Sequence, residues 1–187
     1  MKINTLHEFY VESLRDLYSA ETQLVAALPK VAQAAASREL RTAIEDHLKQ
    51  TQGHVTRLEQ VFDELGEKPN GHTCAAMKGL IKETEEIISD VTDKSVLDAA
   101  LIGAAQKVEH YEIAGYGTAR TFAQLMGHTQ QAKLLQETLK EESHADELLT
   151  RVAESTVNAK AEQTNPASMK EAGTTESMAG AGGSRRS

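Results

Sequence analysis

The stretch GEKPNGHTCAAMKGLIKETEEIISDVTDK, residues 66–94, decides the fold. On both sides of it apolar residues recur with the 3.6-residue period of an amphipathic helix. Neighbouring antiparallel helices need only a few residues between them, so a link this long has another task. It suits a crossover that runs back along a helical bundle, with room inside for a short helix from about Cys74 to Asp90.

Upstream of the crossover, Thr5 and Glu8 have the spacing of a capping box and predict the start of a first long helix. It runs through Leu14, Leu17, Leu24, Leu28 and Val31 to about Ala36, with Pro29 kinking it or replacing one backbone bond. A second helix starts near Ser37 and continues through Leu40, Ile44, Leu48, Leu58 and Phe62 to Leu65, where Gly66 caps it. Downstream, Ser95 and Asp98 predict a second capping box, opening a third long helix that ends near Gly127. The fourth runs from about Thr129 to Val157. Only short joints separate the first helix from the second and the third from the fourth. Each pair is an antiparallel hairpin, and the crossover joins the hairpins into an all-α, ferritin-like antiparallel four-helix bundle with a short fifth helix.

Residues 1–157 form this bundle. From residue 158 the sequence turns to AKAEQTNPASMKEAGTTESMAGAGGSRRS after Asn158, which is small, polar and glycine/serine-rich. Too few large apolar groups remain to offset the entropy of ordering, so residues 158–187 are expected to form a disordered low-complexity tail. Twenty-eight acidic residues against 20 basic ones leave a net charge of −8 and no basic stripe, which argues against nucleic acid and anionic membranes as partners. The single cysteine, Cys74, fits a reducing cytoplasmic setting and reads as a packing residue. MKINTLHEFYVESLRDLY at the N-terminus has no apolar signal region, and no apolar run is long enough to span a bilayer. Nucleophile-elbow, phosphate-loop and dinucleotide glycine patterns are also missing from the sequence.

Facing is set by about 100° of rotation per helical residue. In the first helix, Glu21 falls at the centre of an arc made by Tyr10, Leu14, Leu17, Val25, Leu28 and Ala32. In the second, His47, Thr51 and His54 fall on the stripe of Leu40, Ile44, Leu58 and Leu65. In the third, Glu112 is central among Leu101, Ala105, Val108, Ala119 and Met126; Glu109 and Tyr116 lie to one side, and His110 faces away. In the fourth, Glu142 is in register with Leu135, Leu139, Leu149 and Val152, and Asp146 is beside it. Glu141-x-x-His144 has the letters of a di-iron ligand pair. Its facing disagrees, because His144 lies almost opposite Glu142 and Glu141 about a quarter-turn away.

Each long helix therefore offers a metal-ligating side chain near the middle of its apolar face. A lone ionised carboxylate in a core costs several kcal/mol or takes up a proton, and several together repel unless a cation lies between them. Oxygen and imidazole donors suit iron, manganese or zinc. The expected ligands are Glu21, His47, Glu109, Glu112 and Glu142. His54, Asp146, Glu141 and His144 are further candidates, and Tyr18 and Tyr116 could hydrogen-bond to the ligands. For any one of these residues the plainer assignment is a satisfied core histidine or a solvated carboxylate. The coincidence on four helices is what favours a metal or polar cluster.

DLYSAETQL (16–24), HLKQT (47–51), RLEQVF (57–62), DAALIGAAQKVEHYEIAGYGT (98–118) and LLQETLKEE (134–142) follow one another here as in the YciE/YciF family of bacterial stress proteins. The chain resembles that family over residues 5–157. The resemblance implies a ferritin-like bundle, a homodimer and an association with stress. The general ferritin-like ligand scheme matches Glu21 on the first helix and Glu112 or Glu109 on the third. It departs on the second, where Thr51 and Ile44 stand three residues before His54 and His47.

Two functional classes fit. One is a stress protein with a buried iron or manganese site, of one metal or two, acting on iron or on a small oxidant such as oxygen or peroxide. The other is a non-enzymatic dimeric helical module whose polar core is metal-free.

Overall fold

A computed structural model describes residues 2–69 and 71–164 of the chain; of the expected tail, residues 165–187 lie outside the described residues. All regular structure among the described residues is helical. In order these are α1 (Leu6–Ala34), α2 (Arg38–Leu65), α3 (Ala75–Asp90), α4 (Lys94–Leu125), α5 (Thr129–Val152), a π-helical turn (Ala153–Val157) and α6 (Asn158–Glu162).

The helix ends follow local chemistry. Thr5 and Glu8 form the capping box at the start of α1, and Gly66 closes α2 in the left-handed conformation, φ 66°. Pro29 is exposed inside α1, which continues to Ala34. The start of α4 differs from expectation: Asp93, not Ser95, is the cap, accepting from the amides of Ser95 and Val96. Asp98 turns away from its own helix and accepts from Ala36 N and Ser37 N, each at 2.8 Å, in the joint between α1 and α2. A carboxylate at the start of α2 satisfies free amides and meets the positive end of the helix dipole. The last helical segment runs past the expected boundary at residue 157, because Val157 is buried in the core and α6 carries the helix on to Glu162.

Two apolar clusters hold the long helices together. One gathers Tyr10, Leu14 and Leu17 of α1, Leu58, Val61 and Phe62 of α2, Tyr116 and Ala119 of α4, and Ala132 and Leu135 of α5. The other takes the opposite ends, with Ala32, Leu40, Ile44, Leu97, Leu101, Leu149 and Val152. The start of α1 thus shares an end with the finish of α2, the finish of α4 and the start of α5. Consequently α2 and α4 run in the same direction, so the chain must travel the length of the molecule between them. Helix α3 fills that journey and packs on α1 and α4 through Met77, with Cys74, Ala20, Leu24 and Val108. Where α1 meets α4, Gly115 leaves room for Leu17: a Cβ there would sit 2.8 Å from Leu17 Cδ2.

Asp98 makes two charge-assisted hydrogen bonds while only 6% exposed. Asp98→Ala is expected to lower unfolding free energy by about 2–3 kcal/mol, with Asp98→Asn intermediate, as read from urea denaturation. An unchanged midpoint would mean that water satisfies the two amides equally well.

Candidate metal centre

Between the two apolar clusters lies a layer of charge. Glu21 from α1, His54 from α2, Glu112 from α4 and Glu142 from α5 have no exposed surface, and His47 and Glu109 are only 7% and 2% exposed. Helical periodicity places them there, since each occupies the position on its stripe that a leucine would otherwise fill.

The side chains form two groups that share one carboxylate. His47, Glu109, Glu112 and Glu142 offer one ligand atom each within 4.8 Å of one another, as do Glu21, His54 and Glu142. Opposite donors in a metal shell with bonds of about 2.1 Å stand roughly 4.2 Å apart, so small side-chain adjustments bring each group onto one ion. His47 Nε2 lies 3.4 Å from Glu109 Oε1 and 3.8 Å from Glu142 Oε2. His54 Nδ1 lies 2.9 Å from Glu142 Oε1 and 3.4 Å from Glu21 Oε1. The 2.9 Å approach is out of line for a hydrogen bond, so Nδ1 is near an oxygen yet unsatisfied.

Unsatisfied atoms are concentrated here. Both oxygens of Glu112, both of Glu142 and both ring nitrogens of His47 lack a hydrogen-bond partner, as do Glu21 Oε2 and Glu109 Oε2. Buried polar atoms rarely go unpaired, and each orphan costs of order 1–3 kcal/mol. The orphans are the same donors that a shared cation would take, and their mixed oxygen and nitrogen chemistry fits iron, manganese or zinc.

Without a cation, protons reduce the charge. Burial, reinforced by the neighbouring carboxylates, pushes Glu112 and Glu109 well above the usual carboxylate range. Burial also raises Glu21, with His54 pulling the other way. For His54 burial favours the neutral ring, but Glu142 and Glu21 outweigh it and hold the imidazolium up to about 10. Burial lowers His47 and keeps it a neutral donor.

Behind His54 stands a carboxylate held from outside. Glu141 Oε2 meets His54 Nε2 at 2.8 Å, and Arg57 grips both Glu141 oxygens at 2.6 and 2.8 Å. That pairing holds Glu141 below the usual carboxylate range and directs Nδ1 toward the cluster. Tyr116 donates a hydrogen bond to Glu21 Oε1.

Other sequence candidates go elsewhere. Tyr18 donates to Glu59 at 3.2 Å, away from the cluster. Asp146 accepts from Gln106 at 3.0 Å and lies 3.5 Å from His110, which is exposed. His144 is exposed, so Glu141-x-x-His144 does not act as a pair: Glu141 supports a histidine of α2 and His144 supports nothing in the cluster. Cys74 is more than packing. Its sulfur caps α3 and lies 3.3 Å from Asp16 Oδ2 and 2.9 Å from the Tyr111 hydroxyl. Arg57, three residues after His54 and thus on its side of α2, was the sequence signal that could have revealed the outer support.

Residues 5–162 match the family model described as a domain of unknown function, DUF892. The chain is 47% identical to protein YciF of Escherichia coli K12 over 163 residues, 87% of this chain and 98% of that protein. The crystal structure of the E. coli stress protein YciF is similar at a TM-score of 0.80 and 46% identity, covering 83% of this chain and 99% of the other. YcfI from Rhodopseudomonas palustris is similar at a TM-score of 0.78 and 44% identity, over 80% and 95% of the two chains. Among the described residues no helix is long and apolar enough to cross a membrane.

The raised acids and His54 give the metal-free protein a definite pH dependence. Between the unfolded histidine pKa of 6.5 and the folded value of about 10, the folded chain keeps a proton on His54 that the unfolded chain has lost. Above the usual carboxylate range the same holds for Glu109 and Glu112 while they remain protonated. The His54 contribution is fully present below pH 6.5 and is lost as pH rises through about 10, so stability falls across that window. The Tm of chelator-treated protein is expected to decline over it, with a flatter profile in Glu112→Gln. A Tm that rises with pH would overturn this account of the buried charge.

Proposed function

The chain belongs to the DUF892 family, the family of the stress protein YciF, and from that premise we propose that it is a ferritin-like stress protein binding two redox-active cations, iron or manganese, in its central polar layer. The observation that carries this reading is the set of unsatisfied buried atoms on Glu21, His47, His54, Glu109, Glu112 and Glu142, drawn from all four long helices. Pairwise packing of α1 with α2, α2 with α5, α5 with α4 and α4 with α1 supports the ferritin-like description.

His47, Glu109 and Glu112 would hold one cation, Glu21 and His54 the other, and Glu142 would serve both. When bound, the metal supplies one-electron chemistry toward a small oxidant, oxygen or peroxide. The chain's own part is to fix the donors and exclude bulk water. Glu141 and Arg57 orient the His54 ring, and Tyr116 holds Glu21. Binding displaces protons from His54, Glu109 and Glu112, so affinity rises with pH.

A cytoplasmic setting accords with the one free cysteine. A homodimer accords with exposed Leu6, Phe9 and Leu125, an apolar surface suited to a second copy. The competing reading, a dimeric module with a metal-free polar core, draws on the proximity of His54 to three carboxylates, which partly neutralises the layer.

Elemental analysis of protein reconstituted anaerobically with ferrous iron or manganese decides between them. Close to two ions per chain are expected, falling to one in His54→Ala and to near zero in Glu142→Ala. Failure of the wild-type protein to retain either metal would sink the metal reading. Glu141→Gln leaves both groups in place but loosens His54, and is expected to weaken metal affinity by about 10–100-fold in competition with a chelator.

A further inference from the structure

Two clefts reach the same edge of the polar layer, the edge formed by His47 and Glu109. They differ in chemistry. The first, of about 110 Å³, lies between α1, α3 and α4 and has apolar walls made by Leu24, Leu28, Val31, Ile81, Ile88 and Val108. Thr84 also lines it; its hydroxyl donates to Leu80 O at 2.9 Å, which leaves only the hydroxyl oxygen, as an acceptor, for the cleft. Two further lining residues, Lys30 and Glu85, form a 2.9 Å ion pair between α1 and α3. The second cleft, of about 230 Å³, lies between α2, α4 and α5 and carries Asp46, Gln50 and His144.

We infer that the apolar cleft between α1, α3 and α4 is a binding site for dioxygen and leads it to the His47–Glu109 edge, whereas water, cations and peroxide use the wider polar cleft. Three observations carry this. At about 110 Å³ the first cleft is of the same order as the roughly 150 Å³ apolar cavity that takes up xenon or benzene, so its aliphatic part has room for a small uncharged apolar guest. Peroxide carries two O–H donors that must give up water to enter; the aliphatic walls offer no acceptor, and only the Thr84 oxygen and the Lys30-paired Glu85 carboxylate could take them, whereas dioxygen needs no partner. Buried at the inner end are both unpartnered nitrogens of His47 and Glu109 Oε2, so a guest that passes the aliphatic walls arrives at the polar layer. The inference rests on the metal reading for the use made of dioxygen, and on the cleft alone for its binding.

The test is methyl NMR of the full, metal-free chain under oxygen pressure, where dissolved dioxygen itself is the probe. Methyls of the half-buried Val31, Ile81 and Ile88 are expected to show several-fold more paramagnetic relaxation than those of the half-buried Leu65, Leu134 and Leu139, and the buried Leu24 and Val108 more than the buried Leu14 and Leu101. Ala27→Phe, which fills the first cleft, is expected to abolish the excess; Ala43→Phe, which fills only the second, is expected to leave it. In iron-loaded protein, Ala27→Phe is expected to slow ferrous oxidation by dioxygen several-fold and spare oxidation by added peroxide, with the reverse pattern in Ala43→Phe. Absence of excess relaxation in the wild-type chain overturns the inference whether or not the protein binds metal. Excess relaxation in a protein that retains no iron or manganese would leave the cleft standing and remove the metal reading instead. Should Ala27→Phe not fold, xenon located in crystals of the wild-type protein replaces it: density in the first cleft supports the inference, and density confined to the second overturns it.

Discussion

Buried negative charge is the constraint around which the rest of this molecule is arranged. Glu21, Glu109, Glu112 and Glu142 occupy places that would ordinarily hold aliphatic side chains, and they do so within one layer. Carboxylates so confined must share protons, pair with imidazolium or share a cation, because burial strips away most of the solvent that would screen them. Apolar clusters on either side supply the burial free energy that makes such a layer tolerable. His54 moderates the repulsion, and Arg57 through Glu141 connects that moderation to the surface.

The fold was legible because it depends on period and length. Four long amphipathic stripes, two short joints and one long link leave few arrangements, and residues 66–94 indicate that α2 and α4 run the same way. Inward facing of Glu21, His47, His54, Glu109, Glu112 and Glu142 was legible for the same reason, since rotation along a helix is nearly constant. The outward facing of His144, kept as a further candidate, also followed from rotation: the letters Glu-x-x-His are there, but His144 is exposed.

What escaped reading depends on which helix lies opposite. Ser95 and Asp98 have the spacing of a capping box, yet Asp93 caps α4, and Asp98 serves the α1–α2 joint about sixty residues earlier in the chain. Tyr18 is one residue from the inward Leu17, but Glu59 on α2 offers its hydroxyl a partner outside the layer. Glu141 looked like a failed ligand by facing alone; its role needs His54 and Arg57 from α2 at the same height. Local spacing specifies which side of a helix a residue occupies. The partner on that side is a tertiary fact.

Both inward histidines come from α2, seven residues apart, so their backbones stand about 10 Å apart along the helix axis while their rings lean to within 6.3 Å of each other. The polar layer therefore has a front and a back. At the front, His47 and Glu109 line two openings and His47 keeps both nitrogens free. At the back, His54 is closed in by Glu141, Arg57 and the Tyr116–Glu21 contact. Whatever occupies the two ends does not experience the same surroundings: the front exchanges with its environment, and the back is insulated from it. A nearly symmetric set of ligands is thereby given a direction, set by the order of two histidines along one helix.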